Sequence, residues 1–208
     1  MTFLLREGLN AALQRPLSTR LIVSPLLDSE QVGPSSIDLR LGTQFIQVRR
    51  YAERAIDPFD ENSMGGREEE VSIPFGGRFV LHPGHFVLGA TLEFLRLPND
   101  LAGQVLGRSS WGRLGLVVAT AVVVQAGFAG CLTLELVNIG SVPLLLRPGL
   151  RVAQLCVWQA EAPTTAGYGS GAGKYMAPLG PQSSRLGVER NELERLNRIA
   201  KRLAGESS

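Results

Sequence analysis

The chain has 208 residues, 44% of them hydrophobic and 19% charged, with a formal net charge of +2; that length suits one domain and that balance can build a real core. The charge is too small to argue for a nucleic-acid partner, although nineteen of the twenty-one basic residues are arginine, Lys174 and Lys201 being the lysines. With no secretory signal and no uninterrupted apolar stretch of about 18 residues, a soluble cytoplasmic protein is expected.

In chain order, Thr2 to Gln14 is predicted as a short amphipathic helix, with Phe3, Leu4, Leu9 and Leu13 near helical spacing and Pro16 closing it. Leu21 to Leu27 is a short apolar stretch broken by Pro25. Ile37-Asp38-Leu39-Arg40-Leu41 alternates strictly and is expected as a half-buried strand, with Phe45 to Val48 resuming after a turn at Gly42. Arg49 to Gly77 changes character, and its charged residues, glycines and acidic run at Glu68 to Glu70 make it a long surface excursion with a solvated acidic edge. From Arg78 onward short strands are punctuated by Gly and Pro: Phe79 to Leu81, Phe86 to Leu97, Leu101 to Leu106, Val117 to Val124, Cys131 to Asn138, Leu144 to Leu146 and Val152 to Trp158. Strands at this density, without long helices between them, predict a sandwich or barrel.

Two places among these strands carry candidate chemistry. Between Leu106 and Val117 lies Gly107-Arg108-Ser109-Ser110-Trp111-Gly112-Arg113-Leu114-Gly115-Leu116, poor core material. Ser109 or Ser110 can cap a short helix and Gly115 can supply the left-handed residue that ends it. With Arg108 and Arg113 beside free N–H groups, the segment is either a phosphate cradle or a polar turn with a surface salt bridge. The second place is Glu135, a carboxylate inside the apolar run Cys131 to Val137. Such a group is either paired with an arginine or tuned by burial to take a proton near neutral pH.

Cys131 and Cys156 sit in apolar runs as small buried residues, and neither their spacing nor that of His82 and His85 makes a disulfide framework or a zinc site. Pro163 to Tyr175 is loop-like, either a flexible linker or a glycine-rich tail carrying Lys174, Tyr168 and Tyr175 over a bound anion. Val188 to Leu203 is a second predicted helix, with Leu193, Leu196, Ala200 and Leu203 on one stripe, Asn191 as cap and Glu194 completing a capping box.

Gly-Arg-Ser-Ser-x-x-Arg-x-Gly resembles the signature of the dCTP deaminases, relatives of the trimeric dUTPases. Pro34-Ser35-Ser36-Ile37-Asp38-Leu39-Arg40-Leu41-Gly42, His82-Pro83-Gly84, Gly127-Phe128-Ala129-Gly130 before Leu134-Glu135, Arg147-Pro148-Gly149 and Lys174-Tyr175 extend the resemblance in order and spacing to about Arg185. It implies a mainly β fold, a distorted β-barrel or jelly roll of the dUTPase-like type, with a short N-terminal helix and active sites shared within a homotrimer. Residues 1–185 would be the nucleotide-binding domain. Residues 186–208 would be an added helical extension, packing on the barrel or on its trimer mates.

The activity implied is hydrolytic deamination of dCTP to dUTP and ammonia, with magnesium accompanying the triphosphate. The zinc deaminase pattern of His-x-Glu and Pro-Cys-x-x-Cys does not occur here, so water activation is expected to fall to a glutamate. Glu135 matches the proton carrier, Ser109 and Arg113 match residues that position the water and polarise the reacting centre, and the Ala121 carbonyl matches one that helps hold the water. Substrate contacts are implied for Arg108, Ser109, Ser110, Trp111, Gly112, Arg113, Gln125, Thr133, Leu134, Glu135, Gln154, Tyr168 and Lys174. Alternatives are a bifunctional enzyme that also removes pyrophosphate to give dUMP, and a non-catalytic nucleotide-binding regulator. The chain departs from the family where Gln125 stands in place of the Asp that usually meets the deoxyribose 3′-hydroxyl, where Val122-Val123-Val124 replaces residues often polar or basic near the base, and where Pro178 replaces a glutamine that commonly contacts the triphosphate.

Overall fold

A computed structural model describes residues 1–48, 57, 59, 68–120, 123–168, 175 and 177–203. The chain forms two compact units, one of Met1–Gln47 with Glu70–Gln182, the other of Val48–Glu69 with Ser183–Ser208. Among the described residues no helix is long and apolar enough to cross a membrane.

The first unit is built on one curled half-barrel sheet. Its strands are β1 (Thr2–Phe3), β2 (Ile22–Ser24), β3 (Ile37–Val48), β4 (Glu68–Ser72), β6 (Phe86–Arg96), β7 (Leu101–Gly107), β8 (Leu116–Val118), β9 (Val123–Val124), β10 (Ala129–Asn138) and β12 (Arg151–Gln159). β5 (Phe79–Leu81) and β11 (Leu144–Leu146), far apart in sequence, form a separate antiparallel pair. The main order is β8-β10-β6-β3-β12-β7-β9, with β1 on β12, β2 on β6 and β4 on β3. β7 and β8 are consecutive in sequence yet stand near opposite ends of this order. A Cβ at Gly107 would nevertheless lie 3.4 Å from Val118 Cγ2, so the curl brings the two ends together beside the segment that joins them.

Alternation along β10 sets the faces. Leu132, Leu134 and Leu136 are buried while Thr133, Glu135 and Val137 are half-buried on the other side, the period-2 pattern of a strand with one face on the core. Leu9, Leu21, Ile37, Leu39, Leu41, Phe45, Leu95 and Leu155 complete that core, and Phe45 stacks on Phe79 with ring centroids 4.8 Å apart.

Several expected elements differ. The N-terminal helix, α1, spans Arg6–Gln14 rather than starting at Thr2; Thr2 and Phe3 are taken up by β1, where Phe3 packs on Trp158 at 5.1 Å. Gly42 makes no turn: β3 runs through it, and a Cβ there would come within 3.1 Å of the Ala90 carbonyl, so the glycine permits close strand approach beside the register shift between Leu41 and Phe45. The single strand expected over Val117 to Val124 is two short ones, β8 and β9, on different neighbours. The acidic run Glu68 to Glu70 begins β4, and the rest of the excursion at 49–56, 58 and 60–67 lies outside the described residues. In the second unit, α3 (Arg190–Leu203) follows a 3-10 turn, Leu186–Glu189. Asn191 therefore lies within the helix and not at its cap.

Candidate active site

The segment between β7 and β8 holds a four-residue helix, α2 (Ser109–Gly112). Neither serine caps it; the capping position is Arg108, in extended conformation and with no side-chain cap bond. The reason is a contact with a distant strand. The Arg108 backbone N–H donates to the Val152 carbonyl at 3.2 Å, which ties the chain to β12 one residue before the helix, and both Ser109 and Ser110 are left exposed. Trp111 is half-buried and its indole N–H donates to the Arg151 carbonyl at 2.9 Å, a second tie to β12. Gly112 and Arg113 are exposed. Gly115 ends the segment at φ +94°, and a Cβ there would sit 2.6 Å from the Gly140 nitrogen, so both conformation and space demand glycine. Ser109, Ser110 and Arg113 thus stand on a rigid, outward-facing turn.

Glu135 lies at a fork. β8 pairs with β10 only through Leu136, Val137 and Asn138. At Glu135 the chain leaving β8 diverges: the Ala119 N–H still donates to the Glu135 carbonyl at 2.8 Å, but the Glu135 N–H is received by the Thr120 hydroxyl at 3.0 Å. The Glu135 main chain is therefore fixed while its side chain, half-buried, makes no hydrogen bond or ion pair with any described residue. Burial alone pushes its carboxyl above the ordinary range.

The same reasoning that singles out Glu135 also applies to Glu93, a carboxylate inside the apolar β6, and Glu93 is the ion-pair case. It is fully buried, accepts the Arg40 backbone N–H at 2.8 Å and the Gln31 amide at 2.9 Å, and faces Arg40 Nη1 at 3.4 Å. Its position in an apolar strand is a sequence signal equal to that of Glu135; the difference lies in the arginine two strands of sequence away.

A second polar group joins Arg108 and Gln154 to Asp38, which the sequence did not single out as a site residue. Gln154 on β12 pairs with Asp38 on β3 and with Leu106 on β7, so the three share one row of the sheet. Around that row Asp38 Oδ2 receives Arg108 Nη1 at 3.4 Å and Arg151 Nη1 at 3.3 Å, while Arg151 Nη2 reaches both oxygens of Asp28 at 2.8 Å. Gln154 Oε1 accepts the Ser36 hydroxyl at 3.5 Å. The structure thus gathers Arg108 and Gln154 on one face. The alternation of Ile37 to Leu41 placed Asp38 opposite the core side, but only the strand register reveals its arginines.

The tail meets the turn that bears Gln125. The Phe128 N–H donates to the Gln125 carbonyl at 3.1 Å, the Tyr168 N–H to the Ala126 carbonyl at 2.8 Å, and the Tyr168 and Phe128 rings lie 5.9 Å apart. Gln125 itself is exposed with no side-chain partner among the described residues. Further on, Ala177 N–H donates to Ala129 and Cys131 N–H to the Pro178 carbonyl, at 2.9 and 2.7 Å, and Gln182 N–H donates to the Thr133 hydroxyl at 3.0 Å. The tail therefore runs beside the first half of β10, on the strand that carries Thr133 and Glu135. Leu134, by contrast, is fully buried in the core, which leaves only its backbone for a ligand.

Glu135 and Thr133 with the tail form one cluster, Arg108 with Gln154 another, and no hydrogen bond or ion pair joins Glu135 to Ser109 or Arg113 among the described residues. Ala121 and Lys174 lie outside the described residues.

Residues 9–160 match the family described as dCTP deaminase-like. The dCTP deaminase of Halorubrum lacusprofundi is 45% identical over 172 residues, 81% of this chain and 85% of that protein. The dUMP-forming dCTP deaminase of Dictyoglomus thermophilum is 43% identical over 173 residues, 82% of this chain and 89% of that protein. A crystal structure of 2′-deoxycytidine 5′-triphosphate deaminase from Agrobacterium tumefaciens superposes with a TM-score of 0.59 at 27% identity, over 77% of this chain and 49% of that one, so this chain spans about half its length. On the matched span, the identities and the shared architecture together, the chain belongs to the dCTP deaminase-like family.

Proposed function

We propose that the chain deaminates dCTP hydrolytically and does so as a homotrimer, with residues 1–185 as the nucleotide-binding domain and 186–208 as an appended helix. The observation that carries the reading is Glu135: a half-buried carboxylate, raised by desolvation, whose backbone is clamped and whose side chain is uncommitted among the described residues. A structural carboxylate in such a strand would be paired as Glu93 is.

In this mechanism the Glu135 carboxylate takes a proton from water, the resulting hydroxide forms a C–O bond at C4 of the cytosine ring, and Glu135 passes that proton to ring N3. Glu135 then takes the proton of the new C4 hydroxyl and delivers it to the exocyclic amine, the C4–N bond breaks, and ammonia leaves as C4 becomes a carbonyl. Each water consumed yields one dUTP and one ammonia. Ser109 and Arg113 would position the water and stabilise the developing charge, and Arg108, Ser110 and Gln154 would hold the phosphates. Gln125 would lie at the sugar, and Tyr168 and Lys174 would act from the tail.

The trimer is supported by two features. Among the described residues no hydrogen bond or ion pair joins Ser109 or Arg113 to Glu135, which fits a site completed by a second copy. Leu114 and Ile139, beside the Gly115–Gly140 approach, are 58% and 70% exposed, apolar surface fit for burial between subunits.

Magnesium has no carboxylate cage among the described residues. No group of three His, Cys, Asp or Glu side chains among the described residues could hold an ion, and Asp28 and Asp38 are engaged by arginines. Magnesium would travel with the triphosphate, held by phosphate oxygens and water, and no step above runs through it.

Several relatives at 40–43% identity are named dUMP-forming, and on that ground removal of pyrophosphate is a second reading. Incubation with a panel of pyrimidine nucleotides, following ammonia and pyrophosphate separately, tests both. Ammonia from dCTP without pyrophosphate is expected for the first reading, equal amounts of both for the second. Release of neither from dCTP would sink both.

A further inference from the structure

Asp38 makes no claim on substrate by itself, but its place in the sheet gives it a task. Its carboxylate, 15% exposed, stands in register with Gln154 and receives Arg108 Nη1 at 3.4 Å. Arg108 is the residue just before α2 and is about one-third exposed at 34%, so its guanidinium reaches from a half-buried anchor toward the surface. Arg151 also donates to the same Asp38 oxygen at 3.3 Å, and Arg151 is itself gripped by both oxygens of Asp28. Asp38 is thereby held by a second arginine.

We infer that Asp38 is a positioning residue for Arg108, aiming its guanidinium at the phosphate chain of the nucleotide; this rests on the reading of Arg108 as a phosphate ligand. A guanidinium offers five donors in a planar fork. With Nη1 occupied by Asp38, the remaining donors stay free for phosphate oxygens, and a long side chain that would otherwise lose rotamer freedom on binding is ordered beforehand. Arg151 offsets the negative charge that Asp38 would otherwise present to a phosphate. Arg40, next along β3, is committed to Glu93 and Asp28, so the acidic and basic groups around Asp38 are distributed with Arg108 as the arm that extends toward solvent.

The test is a double-mutant cycle on the full chain: wild type, Asp38→Ala, Arg108→Ala and the double variant, each assayed for kcat and KM with dCTP. Asp38→Ala is expected to raise KM about twofold to fivefold, the range for losing one partly exposed ion pair, with kcat within about twofold. In the Arg108→Ala background it is expected to add no further change. Should Asp38→Ala fail to fold, Asp38→Asn, which keeps an oxygen acceptor without the charge, carries the same cycle with a smaller KM change. Multiplicative KM effects in the double variant, an unchanged or lower KM for Asp38→Ala, or a fall in kcat at constant KM would overturn the inference. If wild type does not deaminate dCTP, or Arg108→Ala leaves KM untouched, the reading beneath it fails and takes the inference with it. If those two behave as expected and only the coupling is missing, Asp38 alone loses its role.

Discussion

The Thr120 hydroxyl receives the Glu135 backbone N–H at 3.0 Å, taking the place that a strand carbonyl would fill had β8 continued. Because a side chain closes this rung, the Glu135 main chain stays anchored beyond the last β8–β10 pair at Leu136. Thr120→Val keeps the shape and removes the acceptor, leaving an unmet N–H worth about 1–3 kcal/mol. It is expected to lower kcat about tenfold by loosening Glu135, with Thr120→Ser close to wild type. Steady-state kinetics on the two variants checks this, and equal loss in both would mean that the hydroxyl is not the anchor.

Glu135→Gln is expected to cut turnover by about 10²–10⁴, the usual contribution of a positioned proton carrier, while nucleotide binding persists. Its stability profile supplies a separate check. Desolvation raises the Glu135 carboxyl in the folded chain, so the folded state holds that proton more tightly than the unfolded one. The contribution to stability is complete below the unfolded value, about 4.3, and is lost as pH rises through the raised folded value. The neutral amide does not suffer this loss. Melting of the two proteins should coincide in acid and favour Glu135→Gln at neutral pH; a variant less stable at pH 7 would point to a hidden ion pair.

Gly130 and Pro178 make a second lever on the site. Gly130 has φ +144°, and a Cβ on it would fall 2.3 Å from Pro178 Cδ, well inside van der Waals contact. Gly130→Ala must displace the tail where it runs beside β10. If the tail contributes to holding the nucleotide, KM for dCTP should rise about tenfold or more with a smaller change in kcat. An unaltered KM in a variant that has kept its fold would remove the tail from the binding site.

These residues also show what could and could not be read from the sequence. Period-2 patterning found most strands of the sheet, because each has a core face and the pattern records it. It failed at Val117 to Val124, where a run aliphatic but for Thr120 conceals a chain that leaves one strand, β8, and joins another partner as β9. It failed at Gly42, because glycine marks a turn and a close strand approach alike. Glu135 was legible as a carboxylate out of place, yet Glu93 carries the same mark; which of them is paired depends on strands distant in sequence. The Asp38–Arg108 contact joins β3 to the segment after β7, and no local pattern announces it. The serine cap failed because Arg108 is already fastened to β12.

Gln125 offers a prediction on specificity. It is exposed on the turn between β9 and β10 and its side chain has no partner among the described residues, so exchange there should leave folding untouched. If it meets the sugar hydroxyl, an aspartate would replace a neutral hydrogen bond of about 0.5–1.5 kcal/mol with a charge-assisted one of about 1.5–3. The difference, roughly 1 kcal/mol, corresponds to about fivefold. Gln125→Asp is expected to lower KM for dCTP several-fold at constant kcat, since the residue is remote from the reacting carbon in this reading. A higher KM for dCTP with another nucleotide spared would show that the pocket is shaped for a different sugar or base.

The buried network supplies the strongest expectation for stability and for its pH dependence. Glu93 is fully buried and its carboxyl is raised, desolvation outweighing the pull of Arg40. Arg40 supplies the compensating charge and is itself buried, with Gln31 and Asp28 as its other partners. Arg40→Met keeps most of the side-chain volume but strands the Glu93 carboxylate, and breaking a buried pair from one side costs about 3–5 kcal/mol. Without Arg40 the Glu93 carboxyl is raised further, so the folded variant binds its proton more tightly still. Stability from that proton is present in acid and lost as pH rises through the raised folded value. Urea denaturation should therefore find Arg40→Met much weaker than wild type at pH 8 and less so near pH 5. Adding Glu93→Gln removes the stranded charge and should recover part of the loss at pH 8 and little at pH 5. A deficit for Arg40→Met that is the same at both pH values would mean that Glu93 is not the group left uncompensated.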